Sequence, residues 1–325
     1  MTELSYLQAI VIGALQGVTE LFPVSSLGHS VLVPAWIGGS WAQLVTQGDT
    51  PNSEGSPYLA FVVALHVATA VALLVFYART WVEVIGGFFT VLRTRRVETP
   101  AQRLAMLGVI ATIPVGITGL LLEHTFRTLF AKPLAAAIFL TVNGVVLLAG
   151  ERLRRRSVAR AGVRADAADA ADAAGTDEQP GARDAQPAQY GPMGSVEYGQ
   201  LAKIEYREAG VIGLFQTFAL LAGISRSGIT MVAGLMRGLD HEAAAQFSFL
   251  LATPVILAAG LLKLPSLFGP AGNGIHGQVL AGALVAGIAA YASVRFLTRY
   301  FTTKTLTPFA IYCLVAGVVS IIRFA

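Results

Sequence analysis

Two kinds of apolar stretch run along the chain. Six of them, at roughly 59–78, 104–123, 134–150, 246–264, 277–298 and 306–323, approach the length of about 20 residues that a helix needs to cross a bilayer. The other two, 7–38 and 209–237, are interrupted near the middle by polar and helix-breaking residues. These are Pro23, Ser25, Ser26, Gly28 and His29 in the first, and Gly223, Ser225, Arg226, Ser227 and Gly228 in the second. Each interruption predicts two half-helices folded into a re-entrant hairpin, which is tolerated at membrane depth only where protein or a water-filled cavity covers the broken backbone. The pattern predicts an all-α polytopic membrane protein with six transmembrane helices and two re-entrant helical hairpins. Residues 79–103 add a short amphipathic helix at the inner surface.

The two interrupted stretches resemble each other. Aligned at an offset of 200, residues 12–30 and 212–230 match Ile12, Gly13, Gln16, Leu21, Ser25 and Gly28 to Ile212, Gly213, Gln216, Leu221, Ser225 and Gly228. Ordinary residue frequencies give about one or two such matches by chance. Weaker echoes pair Phe61 and Leu65 with Phe247 and Leu251, and VNGVV at 142–146 with VAGVV at 315–319. A duplication follows, with repeat one at 1–150 and repeat two at 209–325 of a single membrane domain. Between them, 151–208 opens on an arginine run and turns rich in Ala, Asp, Gly, Pro and Gln, a composition that buries no core and predicts a largely disordered connection.

Charge orients the halves. Connections 79–103, 151–208 and 299–305 hold five, nine and two Lys or Arg, whereas 39–57, 124–133 and 265–276 hold none, two and none. Basic connections stay cytoplasmic, so the first hairpin enters from the outer face, the second from the inner face, and the repeat is inverted. Such repeats with broken helices bring both breaks together near the midplane as one polar site.

Composition agrees and narrows the function. Hydrophobic residues make up 54% and charged residues 13%, against roughly 45–50% and about 25% in soluble domains, which excludes an ordinary soluble enzyme. The formal net charge of +4 reflects arginines beside apolar spans rather than a nucleic-acid surface. One cysteine, Cys313, excludes a disulfide framework or thiolate metal site. Acidic Glu3 before the first apolar run predicts no cleavable leader. No obligatory protein partner is evident.

Ionisable groups within apolar segments are costly and therefore functional candidates: here Glu20, His29, His66 and Arg226. Gln16 and Glu20, four apart, share one helix face and point together into a cavity; the structural alternative is a buried Glu20–Arg226 bridge. The second break offers what a phosphate needs. Arg226 supplies a planar guanidinium, Ser225, Ser227 and Thr230 supply hydroxyls, the following helix supplies unpaired amides, and Gly223 and Gly228 allow close backbone approach. His29 is a candidate general acid or base. Ser25 serves equally as helix cap or attacking hydroxyl, while Ser26, which faces Arg226 in the repeat alignment, is the better nucleophile candidate. His66, with no motif around it, reads as a packing histidine.

Gln16-Gly-Val-Thr-Glu20, Pro23-Val-Ser-Ser-Leu-Gly-His29, Gly223-Ile-Ser-Arg-Ser-Gly-Ile-Thr230 and the run from Glu242 to Pro254 resemble the undecaprenyl-diphosphate phosphatase, or bacitracin-resistance protein, family. The likeness covers the chain except 151–206. It implies hydrolysis of a C55 prenyl diphosphate lipid at the outer face of the bacterial plasma membrane with a divalent cation, Mg²⁺ or Ca²⁺, recycling the carrier for cell-wall synthesis. It places the family's acidic pair on Gln16 and Glu20, its serine and histidine on Ser26 and His29, and its arginine motif on Ser225, Arg226, Ser227 and Thr230. Leu27 stands where the family usually has Ser or Thr, and Ala222 where it has proline. The neutral amide of Gln16 weakens a two-carboxylate metal site.

The expected mechanism follows. Arg226 with Ser25, Ser225, Ser227, Gly228 and Thr230 holds the diphosphate, Glu20 with Gln16 holds the cation, Ser26 attacks and His29 moves the proton; His29 as nucleophile, or as base for water, is the alternative. The rival class is a transporter or flippase of an anionic lipid or phosphate using the same pocket. Against it stands the asymmetry of the breaks, since Glu20 and His29 align with Leu220 and Ile229.

Overall fold

The computed structural model describes residues 4–46, 57–130, 132–173, 198–201, 204–269 and 274–325. Among them every regular element is helical. In chain order these are α1 (Tyr6–Thr19), α2 (Ser26–Ile37), α3 (Gly39–Thr46), α4 (Pro57–Phe76), α5 (Ala78–Thr94), α6 (Pro100–Phe130) and α7 (Pro133–Ala173). Then come α8 (Tyr198–Leu201), α9 (Tyr206–Thr217), α10 (Arg226–Met236), α11 (His241–Lys263), α12 (His276–Tyr300) and α13 (Thr307–Phe324). Helices α6, α7, α11, α12 and α13 each contain a stretch long and apolar enough to cross a bilayer, and α4 is the sixth apolar helix, bent 91° into α5 at Tyr77. Large apolar side chains such as Leu121, Leu261, Leu280 and Ile322 stay exposed on these helices, the outward face of a helix whose solvent is lipid. The chain is a multi-pass, all-α membrane protein.

The two interrupted stretches break where the polar residues stand. Helix α1 opens on a capping box between Ser5 and Gln8 and ends with Glu20 as its C-cap; α2 restarts with Ser25 as its N-cap. Pro23 lacks the N–H that continuation requires. Helix α9 ends at Thr217, passes through the 3-10 turn Phe218–Leu220, and α10 restarts with Ser225 as its N-cap. Ser25 Oγ accepts from Gly28 N at 3.2 Å and Ser225 Oγ from Gly228 N at 3.1 Å. The aligned serines therefore cap aligned helices.

Packing is crosswise between the halves. Helix α1 lies along α12, α9 along α6, and α7 along α13. The aligned glycines Gly13 and Gly213 mark the crossings: a Cβ at either would strike backbone, the Gly282 carbonyl in one case and the Ala111 carbonyl in the other. Helix α5 exposes Val82, Ile85, Phe89 and Leu92 on one side, the apolar stripe of an interfacial helix.

Helix enters the 151–208 connection from both ends. Helix α7 continues to Ala173, because a helix already nucleated in the bundle extends readily through residues of high propensity such as Ala and Arg. At the other end lie α8 and the start of α9. Tyr198 on α8 donates to Glu83 Oε2 at 2.6 Å; burial, then that hydrogen bond and the Glu83 charge, push its phenol above the ordinary range. The rest of the connection, 174–197, lies outside the described residues.

Candidate active site

The two breaks meet. Gly223 N donates to Ser25 Oγ at 3.1 Å, Ser227 Oγ donates to Phe22 O at 3.2 Å, and Ser225 Oγ and Ser227 Oγ lie 3.0 Å apart. Gly223 has a φ of 113°, and a Cβ there would collide with α7 backbone at Ala136 and Leu140, so only glycine passes. Asn143 on α7 ties both breaks. Its Nδ2 donates to Pro23 O at 3.0 Å and its Oδ1 accepts from Ser225 N at 2.9 Å.

At this junction Glu20 is the hub. Arg226 Nη2 donates to Glu20 Oε1 at 2.5 Å, while Gln16 Nε2 at 2.9 Å and Ser26 Oγ at 2.5 Å both donate to Oε2. His66 Nε2 stands 3.3 Å from the same Oε2. The Glu20 side chain is 5% exposed and that of Arg226 14%, so the charges face each other with little water between them. Arg226 Nη1 is buried and has no partner within the protein. An unsatisfied guanidinium N–H is expensive, and an anion seated beside it satisfies it.

These groups close one end of a cavity of about 210 Å³. Glu20, Ser25, Ser26, His66, Gln216, Ser225 and Arg226 form its polar part; Leu27, Val63, Val115, Leu220, Ile224 and Val255 are among its apolar walls. One polar end inside an apolar chamber suits an amphiphile with an anionic head.

Not every expected residue lines it. Ser227 ties the second break to the first through Phe22 O, Gly228 N closes the α10 cap on Ser225 Oγ, and Thr230, fully buried with an unpartnered hydroxyl, stands apart from the cavity wall. His29 also turns away. Its Nδ1 meets Ser25 O at 2.7 Å and its Nε2 meets Tyr312 Oη at 2.7 Å. A neutral ring donating from Nδ1 and accepting from the phenol satisfies both contacts. The expected proton carrier is thus engaged with the Ser25 turn and α13, and the imidazole beside Glu20 is that of His66. The reading of His66 as a packing residue is corrected: its ring reaches Glu20 from a helix where no motif marks it. Asymmetry between the repeats is the signal that finds it, because the echo of Phe61 with Phe247 sets His66 against Ala252. The same test picks out Asn143 against Ala316.

A resident cation does not fit the residues present. Gln16 turns its amide nitrogen, not its oxygen, toward Glu20, and three donors already occupy the two carboxylate oxygens, with His66 Nε2 3.3 Å from one of them. One of those donors is the Arg226 guanidinium, which opposes a second positive charge. Gln16 Oε1 is buried and unpartnered, one neutral oxygen where a hard divalent ion takes six or more.

Among known proteins, the model of the family described as bacitracin resistance protein BacA matches residues 9–319. The chain is 67% identical over 341 aligned residues to the undecaprenyl-diphosphatase 2 of Frankia alni, covering 100% of this chain and 99% of that one. It is 57% identical over 322 residues to the undecaprenyl-diphosphatase of Mycolicibacterium paratuberculosis, covering 99% and 98%. It is 40% identical over 321 residues to the undecaprenyl-diphosphatase 2 of Chromobacterium violaceum, covering 97% and 98%.

Proposed function

The chain belongs to the bacitracin resistance protein BacA family, and from that premise we propose that it hydrolyses undecaprenyl diphosphate to undecaprenyl phosphate and inorganic phosphate in a bacterial plasma membrane. That activity recycles the lipid carrier of peptidoglycan synthesis and counters bacitracin. The observation that carries the reading is the junction of Glu20, Ser26 and Arg226 at the polar end of an apolar chamber.

In this reading Arg226 holds the diphosphate through the N–H bonds that Glu20 leaves free and stabilises the charge that grows on the phosphoryl oxygens. Ser25, Ser225 and the first amides of α10 sit beside it. Ser26 attacks the terminal phosphorus and passes its proton to Glu20 Oε2, its hydrogen-bond acceptor. The bond from that phosphorus to the bridging oxygen breaks, lipid monophosphate leaves, and the phosphoryl group stays on Ser26 Oγ. Water attacks the phosphoserine and frees phosphate as Ser26 recovers a proton. His29 acts one step back, on the turn that presents Ser26. Because Glu20 and Gln16 do not fit a resident ion, a Mg²⁺ or Ca²⁺ would arrive on the diphosphate itself and would offset its charge. The positive-inside pattern supports a site opening to the outer face and a cytoplasmic connection at 151–208.

The test is phosphate release from C55 prenyl diphosphate by the detergent-purified protein, with and without a divalent-metal chelator. Wild type releases phosphate, and Arg226→Ala, folded by size-exclusion profile, loses at least 100-fold in rate, on the order of the loss of a transition-state anchor. Well-folded wild type that binds the lipid and releases nothing overturns the hydrolase and favours a lipid transporter.

A further inference from the structure

His66 belongs to no motif, yet it is the one ionisable side chain that a spanning helix, rather than a break, contributes to the polar end of the cavity. It sits on α4, which packs between α1, α11 and α12. Nδ1 lies 2.8 Å from Val62 O, a carbonyl that accepts only from an N–H, and Nε2 lies 3.3 Å from Glu20 Oε2, also an acceptor. With Nδ1–H on the Val62 carbonyl, the imidazolium form presents its Nε2–H to Glu20 Oε2. The Val62 bond fixes the ring on its own helix, and the second nitrogen is delivered to the carboxylate.

That carboxylate oxygen is the acceptor of the Ser26 hydroxyl. Arg226 grips Glu20 from the opposite oxygen, and an anionic ligand on its remaining N–H bonds shares the same guanidinium. As the arginine turns part of its fork to phosphate, Glu20 needs a second cationic anchor that does not move with the ligand. Gln16 offers a neutral donor on the same chain segment; His66 offers the only other cationic one among the residues lining the cavity. The facing residues of α11 and α6, Val255, Ile256 and Val115, carry no charge.

We propose that His66 is a positioning residue, holding Glu20 Oε2 against Ser26 Oγ while Arg226 engages the diphosphate. The proposal rests on the hydrolase reading above, and deepens it by a residue acting through Glu20.

Gln places a side-chain N–H close to where Nε2 stands, whereas Leu fills similar volume without a donor. His66→Leu is expected to lower kcat about 10- to 100-fold with KM within about threefold, the signature of an interaction lost in the reacting complex rather than in binding. His66→Gln is expected to recover to within about fivefold of wild type. A readout without turnover accompanies it: the infrared carboxylate stretch of Glu20, assigned by difference against Glu20→Gln, shifts in His66→Leu and returns toward wild type in His66→Gln. A His66→Leu protein with kcat within twofold of wild type, an unmoved carboxylate band, or two variants equally impaired at wild-type melting temperature would each overturn the proposal. Wild type that releases no phosphate overturns the hydrolase reading instead, and the infrared comparison still decides whether His66 holds Glu20.

Discussion

Histidines 29 and 66 illustrate how little a residue type says until its two nitrogens are placed. His29 stands in a motif and His66 in none, yet His66 touches the carboxylate and His29 does not. Ser25, whose carbonyl accepts from His29 Nδ1, has a φ of 71°, an unusual value for a residue with a Cβ. Strain of this kind, on the order of 1–3 kcal/mol, persists only where neighbours over-determine it. Here the neighbours are His29 Nδ1 on the carbonyl and the amides of Gly28 and Gly223 on the hydroxyl. A brace and a proton carrier respond differently to asparagine, which reproduces an N–H near the Nδ1 position but does not titrate. His29→Asn is therefore expected to keep kcat within about tenfold of wild type, while His29→Leu falls by a further tenfold or more. Equal, near-complete loss in both variants, with folded protein, would make His29 the proton carrier after all.

At the scale of the element, the breaks were the most legible feature, because a run of Ser, Gly, Pro and Arg inside an apolar stretch has few other physical outcomes. The observed breaks, Glu20 to Ser25 and Leu221 to Ser225, fall on it. The 91° corner at Tyr77 and the extension of α7 to Ala173 were not legible. A corner is set by what α4 and α5 pack against, and a helix end outside the core is set by propensity summed over weak preferences. Pocket membership was legible only in part: Ser227 and Thr230 share the arginine motif but are not among the residues that line the cavity. The matched glycines were legible as identities and acquire a reason in the crossings of α1 over α12 and α9 over α6. Gly13→Val and Gly213→Val are each expected to cost about 1–3 kcal/mol through forced separation of the helices, read as a fall of several degrees in apparent melting temperature. Gly86 on α5 has open space around its Cβ position, and Gly86→Ala is expected to hold or raise that temperature. Insensitivity at Gly13 and Gly213 would show that these crossings are looser than their backbone contacts imply.

For the molecule as a whole, the crosswise packing means that neither repeat carries its own core. Helix α1 buries Ala9, Ile12 and Gly13 against α12, and α9 buries Ala209, Ile212 and Gly213 against α6. Each broken helix is thus covered by a span of the other repeat, and the unpaired backbone of each break is satisfied across the junction, as Gly223 N is by Ser25 Oγ. Left alone in a bilayer, a repeat would expose those groups to hydrocarbon at several kcal/mol apiece. The crosswise contacts named above join residues of 1–173 to residues of 198–325. Two chains, 1–173 and 198–325, are therefore expected to fail separately, giving aggregated or degraded protein. Co-expressed with a tag on the first alone, they are expected to co-purify and to release phosphate from the prenyl diphosphate at a rate within about tenfold of the intact chain. A first half that purifies alone as a monodisperse, cooperatively melting protein would contradict the shared core, and with it the account of why the two breaks are buried together.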